Sequence, residues 1–167
     1  MKKIRNVLGL ILFSLLILPA PSRALDVGKA SPDFQLKSLD GKEVRLSDFK
    51  GRVIVLKLAT TWCPTCQQQT AEFISAAEFF KEKNVQVVEV FLQDSPEMVR
   101  EFLKDKAEGA PILPLIDDGQ VHKKFNVYLI PRVLVIGPDF IVRRDGSVIS
   151  AYDLKKTIEP LLEPAKP

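Results

Sequence analysis

Cysteine is scarce in this chain: its 167 residues include two, at positions 63 and 66, with one histidine, one tryptophan and two methionines. A disulfide between two cysteines this close would enclose only two residues and constrain little of the unfolded chain. A structural zinc site takes about four ligands, and beyond the two thiols the sequence offers only His122. His122 stands beside Lys123 and Lys124, the composition of a solvated helix face. No metal or nucleotide motif, internal repeat or low-complexity segment is present, so the only cofactor expected is the cysteine pair itself.

Long apolar runs are also few. Val7 to Leu18 is uncharged and follows Lys2, Lys3 and Arg5, but at about a dozen residues it is shorter than the roughly 20 that cross a bilayer. Pro19 and Pro21 end it, and Ser22-Arg23-Ala24 reads as a small-x-small cleavage site. Residues 1–24 therefore read as a secretory signal, with an uncleaved anchor as the alternative; no cysteine follows the run, so a lipid anchor is not expected. Excess charge is scarce once these residues are removed. Of 24 Lys and Arg, four precede Leu25, and 20 remain against 21 acids. The pI near 8.8 belongs largely to the signal, and no nucleic-acid partner is indicated. Residues 25–163 are read as one domain and 164–167 as a disordered tail.

What is present is Trp62-Cys63-Pro64-Thr65-Cys66, between the apolar run Val53 to Ala59 and a helical pattern from Gln67 to Phe80. Residues i and i+3 share a helix face, so the two sulfurs can meet with little backbone movement. Pro64 suits the first helical position, which puts Cys63 at the helix N-terminus, where free N–H groups and the positive end of the dipole favour a thiolate. Cys63 is the expected nucleophile. Cys66, one turn inside, is the expected resolving thiol, attacking the mixed disulfide that Cys63 forms. Export would place this pair where disulfides persist.

The rest of the chain reads as an α/β domain. Ser31 to Leu36 and Glu43 to Leu46 alternate around Asp40-Gly41 as a hairpin. Val53 to Ala59 is apolar enough for the middle of a sheet covered on both faces. Phe73, Ile74, Ala77 and Phe80 form the stripe of the next helix, and Asn84 to Leu92 is a second buried strand, parallel to the first. Ser95-Pro96 opens a helix with Met98, Phe102 and Leu103 on its apolar side, broken by Gly109-Ala110-Pro111. A short helix from Gln120 to Phe125 follows. Arg132 to Ile136 and Phe140 to Arg143 are strands joined by Gly137-Pro138-Asp139, Asp145-Gly146 ends the second, and Asp153 to Leu162 is a closing helix. The order β-β, β, α, β, α, α, β-β, α puts Cys63 at the C-terminal end of a central strand, where sites of open α/β sheets lie.

With these elements, the Trp-Cys-Pro-Thr-Cys site, Pro32-Asp33-Phe34 near the start and Ile130-Pro131 before the last hairpin, the chain resembles thioredoxin-fold proteins. More narrowly it is similar to the exported TlpA/ResA-type thiol-disulfide oxidoreductases of the AhpC/TSA-redoxin superfamily. The resemblance implies a mixed sheet flanked by helices with an N-terminal hairpin extension, and a protein acting as a monomer on protein disulfides or dithiols. A membrane thiol-disulfide partner would supply or take the electrons, and cytochrome c maturation or general disulfide reduction would be the setting. It also implies that Pro131 is cis and that its loop, with Ile130, meets the substrate beside Trp62, Pro64 and Thr65. Three positions depart from the family. Lys57 stands where thioredoxins bury an acid, Gln69 where many relatives have glutamate, and Arg132 where a small or acidic residue is common. Lys57 is expected either to snorkel or to pair with Glu89. All three changes make the site more positive, which would stabilise thiolates and raise the reduction potential toward the middle of the range from about −270 mV for thioredoxin to about −120 mV for DsbA.

Two other functions compete. Thr60-Thr61-Trp62-Cys63 matches the Thr-x-x-Cys of peroxiredoxin-like peroxidases, and Arg132 could serve as their peroxide-polarising arginine, although Leu56 stands where their proline is expected. A redox-regulated binding module or thiol chaperone would use the groove around Trp62 and Pro131 without turnover.

Overall fold

The computed structural model describes residues 27–104 and 109–162; the signal and the tail expected from the sequence lie outside them. The described chain runs β1 (Gln35–Ser38), β2 (Glu43–Arg45), a 3-10 turn (Leu46–Phe49), β3 (Ile54–Ala59), α1 (Pro64–Ser75), α2 (Ala77–Glu82) and β4 (Gln86–Phe91). It continues with α3 (Pro96–Leu103), β5 (Ile112–Ile116), α4 (Gln120–Lys124), β6 (Arg132–Ile136), β7 (Val142–Gly146) and α5 (Ala151–Leu162). The strands form one sheet in the order β2-β1-β5-β4-β3-β6-β7. β3, β4 and β5 are parallel, and the hairpins β1–β2 and β6–β7 flank them antiparallel.

β3 is buried at all six residues, and its alternation serves two cores. Ile54, Leu56 and Leu58 pack with Val88, Val90, Leu134 and Ile136 on one face. Val55 faces the other way, with Val87, Val133 and Val135, beneath Phe73 and Phe80 of the helices and Leu154 and Ile158 of α5. Phe73 and Phe80 meet edge to face with ring centroids 6.2 Å apart. Each such ring taken from water contributes about 1.5–3 kcal/mol. Phe79 packs against the same core, as expected of a leftover apolar residue.

Four expectations need correction. A strand not expected, β5, lies between β1 and β4; its sequence Ile-Leu-Pro-Leu-Ile carries Pro114, which argues against an inner strand. It is tolerated because β1 pairs only with Leu115 and Ile116, leaving the first part of β5 bonded on one side. The single helix from Gln67 to Phe80 is two helices, with Ala76 at φ −98°, ψ 4° between them. Ser75 Oγ donates to the Ala71 carbonyl at 3.0 Å, a back-bond that bends helices. On α3, Met98 is exposed and Val99 is the buried residue, since Val99 with Phe102, which meets Phe91 edge to face, defines the inner stripe. Asp145-Gly146 does not end the last strand but belongs to it, because a bulge opposite Val135 and Ile136 moves the pairing along β7.

Candidate active site

Cys63 is the N-cap of α1. Its backbone is extended (φ −84°, ψ 117°), its sulfur accepts the Cys66 N–H at 3.3 Å, and Pro64 follows at the first helical position. The Thr65 hydroxyl lies 3.2 Å from the same sulfur. Burial raises the proton affinity of the Cys63 thiol, but these contacts with Cys66 and Thr65 outweigh it and hold the pKa below its ordinary value. Cys63 is 7% exposed and Cys66 is 0%. Burial above all, then the neighbouring Cys63, pushes the Cys66 pKa up to about 12, against the pull of the Thr60 backbone and the Lys57 charge. Both cysteines are free thiols. One turn of helix thus separates a thiol ready to ionise from one that holds its proton.

Beneath that turn, Lys57 is fully buried. Its ammonium donates to the Cys66 carbonyl at 2.8 Å, to Thr70 Oγ1 at 2.5 Å and to Glu89 Oε1. Lys57 and Glu89 are register partners in the parallel pair of β3 and β4, so pairing rather than snorkelling is what the strands dictate. Glu89 Oε2 has no hydrogen-bond partner. Gln69, expected only as a missing negative charge, is a buried clasp: its Nε2 donates to the Ile149 carbonyl at 3.1 Å and its Oε1 accepts the Ile149 N–H at 2.7 Å. It ties α1 to the entry of α5.

Arg132 differs most from expectation. It is not a free cation acting on Cys63: its Nε and Nη2 donate to the two carboxylate oxygens of Asp145 at 2.8 and 2.5 Å. An arginine so engaged also lacks the freedom to polarise a peroxide. Thr60, the other half of that comparison, has a buried hydroxyl without a partner.

The Ile130-Pro131 peptide bond is cis. Ile130 packs against Ala59, Cys63 and Cys66, which brings its loop to the thiols as the resemblance implied. Trp62 is 58% exposed, and Tyr128 and Leu129 are each 83% exposed. No charged residue occurs from Leu58 to Ala71 or from Val127 to Pro131, so the two segments that carry the thiols and these exposed apolar side chains are uncharged. Sequence reasoning missed Asp94, which is buried. Its carboxylate accepts the Thr61 N–H at 2.9 Å and the Thr61 hydroxyl at 2.6 Å, while Gln67 Nε2 donates to the Thr61 carbonyl at 2.7 Å. The residue before Trp62 is thereby held on every polar group.

The AhpC/TSA family model matches residues 27–155, a span that takes in the whole sheet and both thiols. The chain belongs to the AhpC/TSA family. Among its relatives are thiol-disulfide oxidoreductases ResA from Bacillus thuringiensis subsp. konkukian, 28% identical over 83% of this chain and 76% of that protein. ResA from Geobacillus kaustophilus is 30% identical over 86% of this chain and 80% of that protein. A solved structure from Chlorobium tepidum, described as a thiol:disulfide interchange protein DsbE, superposes with a TM-score of 0.73 at 28% identity. It covers 83% of this chain and 99% of that one. The fold is thioredoxin-like, as the sequence implied, and within the family the likeness is to thiol-disulfide oxidoreductases of the ResA and DsbE type.

Proposed function

We propose that the protein is an exported thiol-disulfide oxidoreductase that exchanges electrons with protein disulfides through Cys63 and Cys66, those of apocytochromes among them. The observation that carries this reading is the contrast between the two thiols: Cys63 is held toward the thiolate at the helix N-terminus, and Cys66 is buried and protonated up to about 12. The Cys63 thiolate attacks a substrate disulfide, a mixed disulfide forms, and one substrate sulfur leaves as a thiolate. Cys66 then attacks the Cys63 sulfur, its proton passing to the substrate thiolate released in the first step; the second substrate sulfur leaves, and two electrons have passed to the substrate. A thiol-disulfide partner at the membrane restores the dithiol. The exposed side chains of Trp62, Tyr128 and Leu129, on segments without charge, suit polypeptide rather than a small charged disulfide. Export is supported by Lys2, Lys3 and Arg5, the run Val7 to Leu18 and Ser22-Arg23-Ala24.

The test is a trap. Cys66→Ser expressed in the full chain should accumulate mixed disulfides on Cys63 with exported proteins, while Cys63→Ala accumulates none. Absence of such adducts, with no reduction of insulin by the wild type, would sink the reading; consumption of hydrogen peroxide at a comparable rate would favour a peroxidase instead.

A further inference from the structure

The segment between α4 and β6 leaves the helix at Phe125 and returns to the sheet at Arg132. Its side chains divide sharply. Val127 is buried in the core below the sheet, and Ile130 packs on Cys63 and Cys66. Tyr128 and Leu129, between them, face solvent. Two bonds from the helix end, Asn126 N–H to the Lys123 carbonyl at 3.2 Å and Val127 N–H to the His122 carbonyl at 3.1 Å, start the segment. Asn126 adopts φ +48°, a left-handed turn that asparagine tolerates better than most residues. Val127 and Ile130 pin the segment by their side chains; its backbone at the end of α4 needs a further constraint if the two exposed side chains are to keep one place beside Cys63.

Arg132 supplies that constraint. Its Nη1 donates to the Phe125 carbonyl and lies 3.4 Å from the Asn126 carbonyl, the groups left over at the end of α4. The other edge of the same guanidinium is held by both oxygens of Asp145 on β7. The ion pair is nearly enclosed, with side-chain exposures of 12% and 10%. One rigid fork therefore closes the segment into a ring, from residue 125 to residue 132, and anchors the ring to the sheet. A planar guanidinium can bind a carboxylate bidentately and still present donors to two carbonyls; an ammonium cannot.

We infer that Arg132, braced by Asp145, is a positioning residue for protein substrates: it holds the Val127–Pro131 loop so that Tyr128 and Leu129 form a fixed apolar ledge beside Cys63. The ledge receives the apolar residues flanking a substrate cysteine in an extended segment. This rests on the reading of Cys63 as exchanging with protein disulfides and adds which residues hold the docking surface in shape.

The experiment compares the wild type, Arg132→Met and Asp145→Asn on two substrates, insulin and 2-hydroxyethyl disulfide, which is too small to reach the ledge. The ratio of kcat/KM on insulin to that on the small disulfide should fall roughly tenfold or more in Arg132→Met, mainly through KM, since misplaced positioning groups cost up to about a hundredfold. Asp145→Asn should change the ratio in the same direction. Backbone amides of residues 126–130 should exchange hydrogen faster in both variants, and the pH profile of Cys63 alkylation should stay in place. If Arg132→Met unfolds, Asp145→Asn, which keeps the guanidinium but removes the carboxylate that braces it against the Phe125 and Asn126 carbonyls, decides alone. An unchanged ratio in a folded variant overturns the inference, as does an equal loss on both substrates with a shifted Cys63 profile. A wild type that reduces neither substrate fails the functional reading itself, a different result.

Discussion

Cys63 and Cys66 share one turn of helix and the same elemental chemistry, so their difference is entirely environmental. Cys63 accepts a backbone N–H and faces the Thr65 hydroxyl; Cys66 lies under the turn with no exposure. The expected consequence is sequential alkylation. Iodoacetamide should label Cys63 alone at neutral pH, with a rate that rises through a pKa below the ordinary thiol value. Cys66 should resist until the pH approaches about 12 or the protein unfolds. The linked stability has a definite sign. A raised folded-state pKa means that the Cys66 contribution is fully present below the ordinary thiol value of 9.0 and is lost as the pH climbs from there toward about 12. Mass spectrometry after timed labelling checks the order; a Cys66 that reacts first reverses the assignment of nucleophile and resolving thiol. At this scale the sequence was readable, because Pro64 and the spacing of the cysteines specify a helix start that sets the two thiols apart.

At the scale of elements, the loop from β3 to α1 is fixed by a residue 33 positions away, Asp94 in the loop from β4 to α3. Both loops leave the C-terminal ends of adjacent parallel strands, so each can brace the other. Asp94→Ala would leave the Thr61 N–H and hydroxyl buried without partners, a loss of about 2–3 kcal/mol. The urea midpoint should fall accordingly, and insulin reduction should fall further than stability alone explains, because Trp62 and Cys63 follow directly on Thr61. Equal insulin reduction in a folded Asp94→Ala protein would show that the clamp serves the fold only. Long-range contacts such as this one, or Arg132 with Asp145, leave no local pattern. Asp145 reaches Arg132 only because β7 continues past the expected turn and a bulge displaces its register. The elements marked by caps and turns, by contrast, were legible: Ser95 does cap α3, accepting the Met98 N–H at 3.3 Å. The strand containing Pro114 was not, because whether proline is tolerated depends on how far the neighbouring strand extends.

Across the whole molecule, the Lys57–Glu89 pair occupies the point where the central strands, α1 and the redox turn meet. The lysine was legible as an anomaly in an apolar strand, and the glutamate as its strand partner; what the sequence could not show is that the pair leaves no excess charge beneath the thiols. From Pro114 of β5 and Val133 of β6, the register neighbours of Glu89 and Lys57, no further charge is contributed. Lys57→Met alone would strand a buried carboxylate, one oxygen of which already lacks a partner, and should cost about 3–5 kcal/mol. That is a large share of the roughly 5–15 kcal/mol that holds a domain folded. Lys57→Met with Glu89→Leu removes both charges and keeps the volume, so stability should return to near the wild type, as when buried ion pairs are replaced by apolar residues. The redox behaviour should divide in the same way. The single variant leaves a negative charge below the redox turn, which disfavours the Cys63 thiolate and with it the reduced protein, so its reduction potential falls. The double variant loses the pull of Lys57 on Cys66 together with the opposing carboxylate, so its potential should lie close to the wild type. Urea denaturation and equilibration against glutathione of all three proteins measure both halves. A double variant whose potential drops as far as that of the single one would mean that Lys57 acts as an uncompensated cation despite its partner.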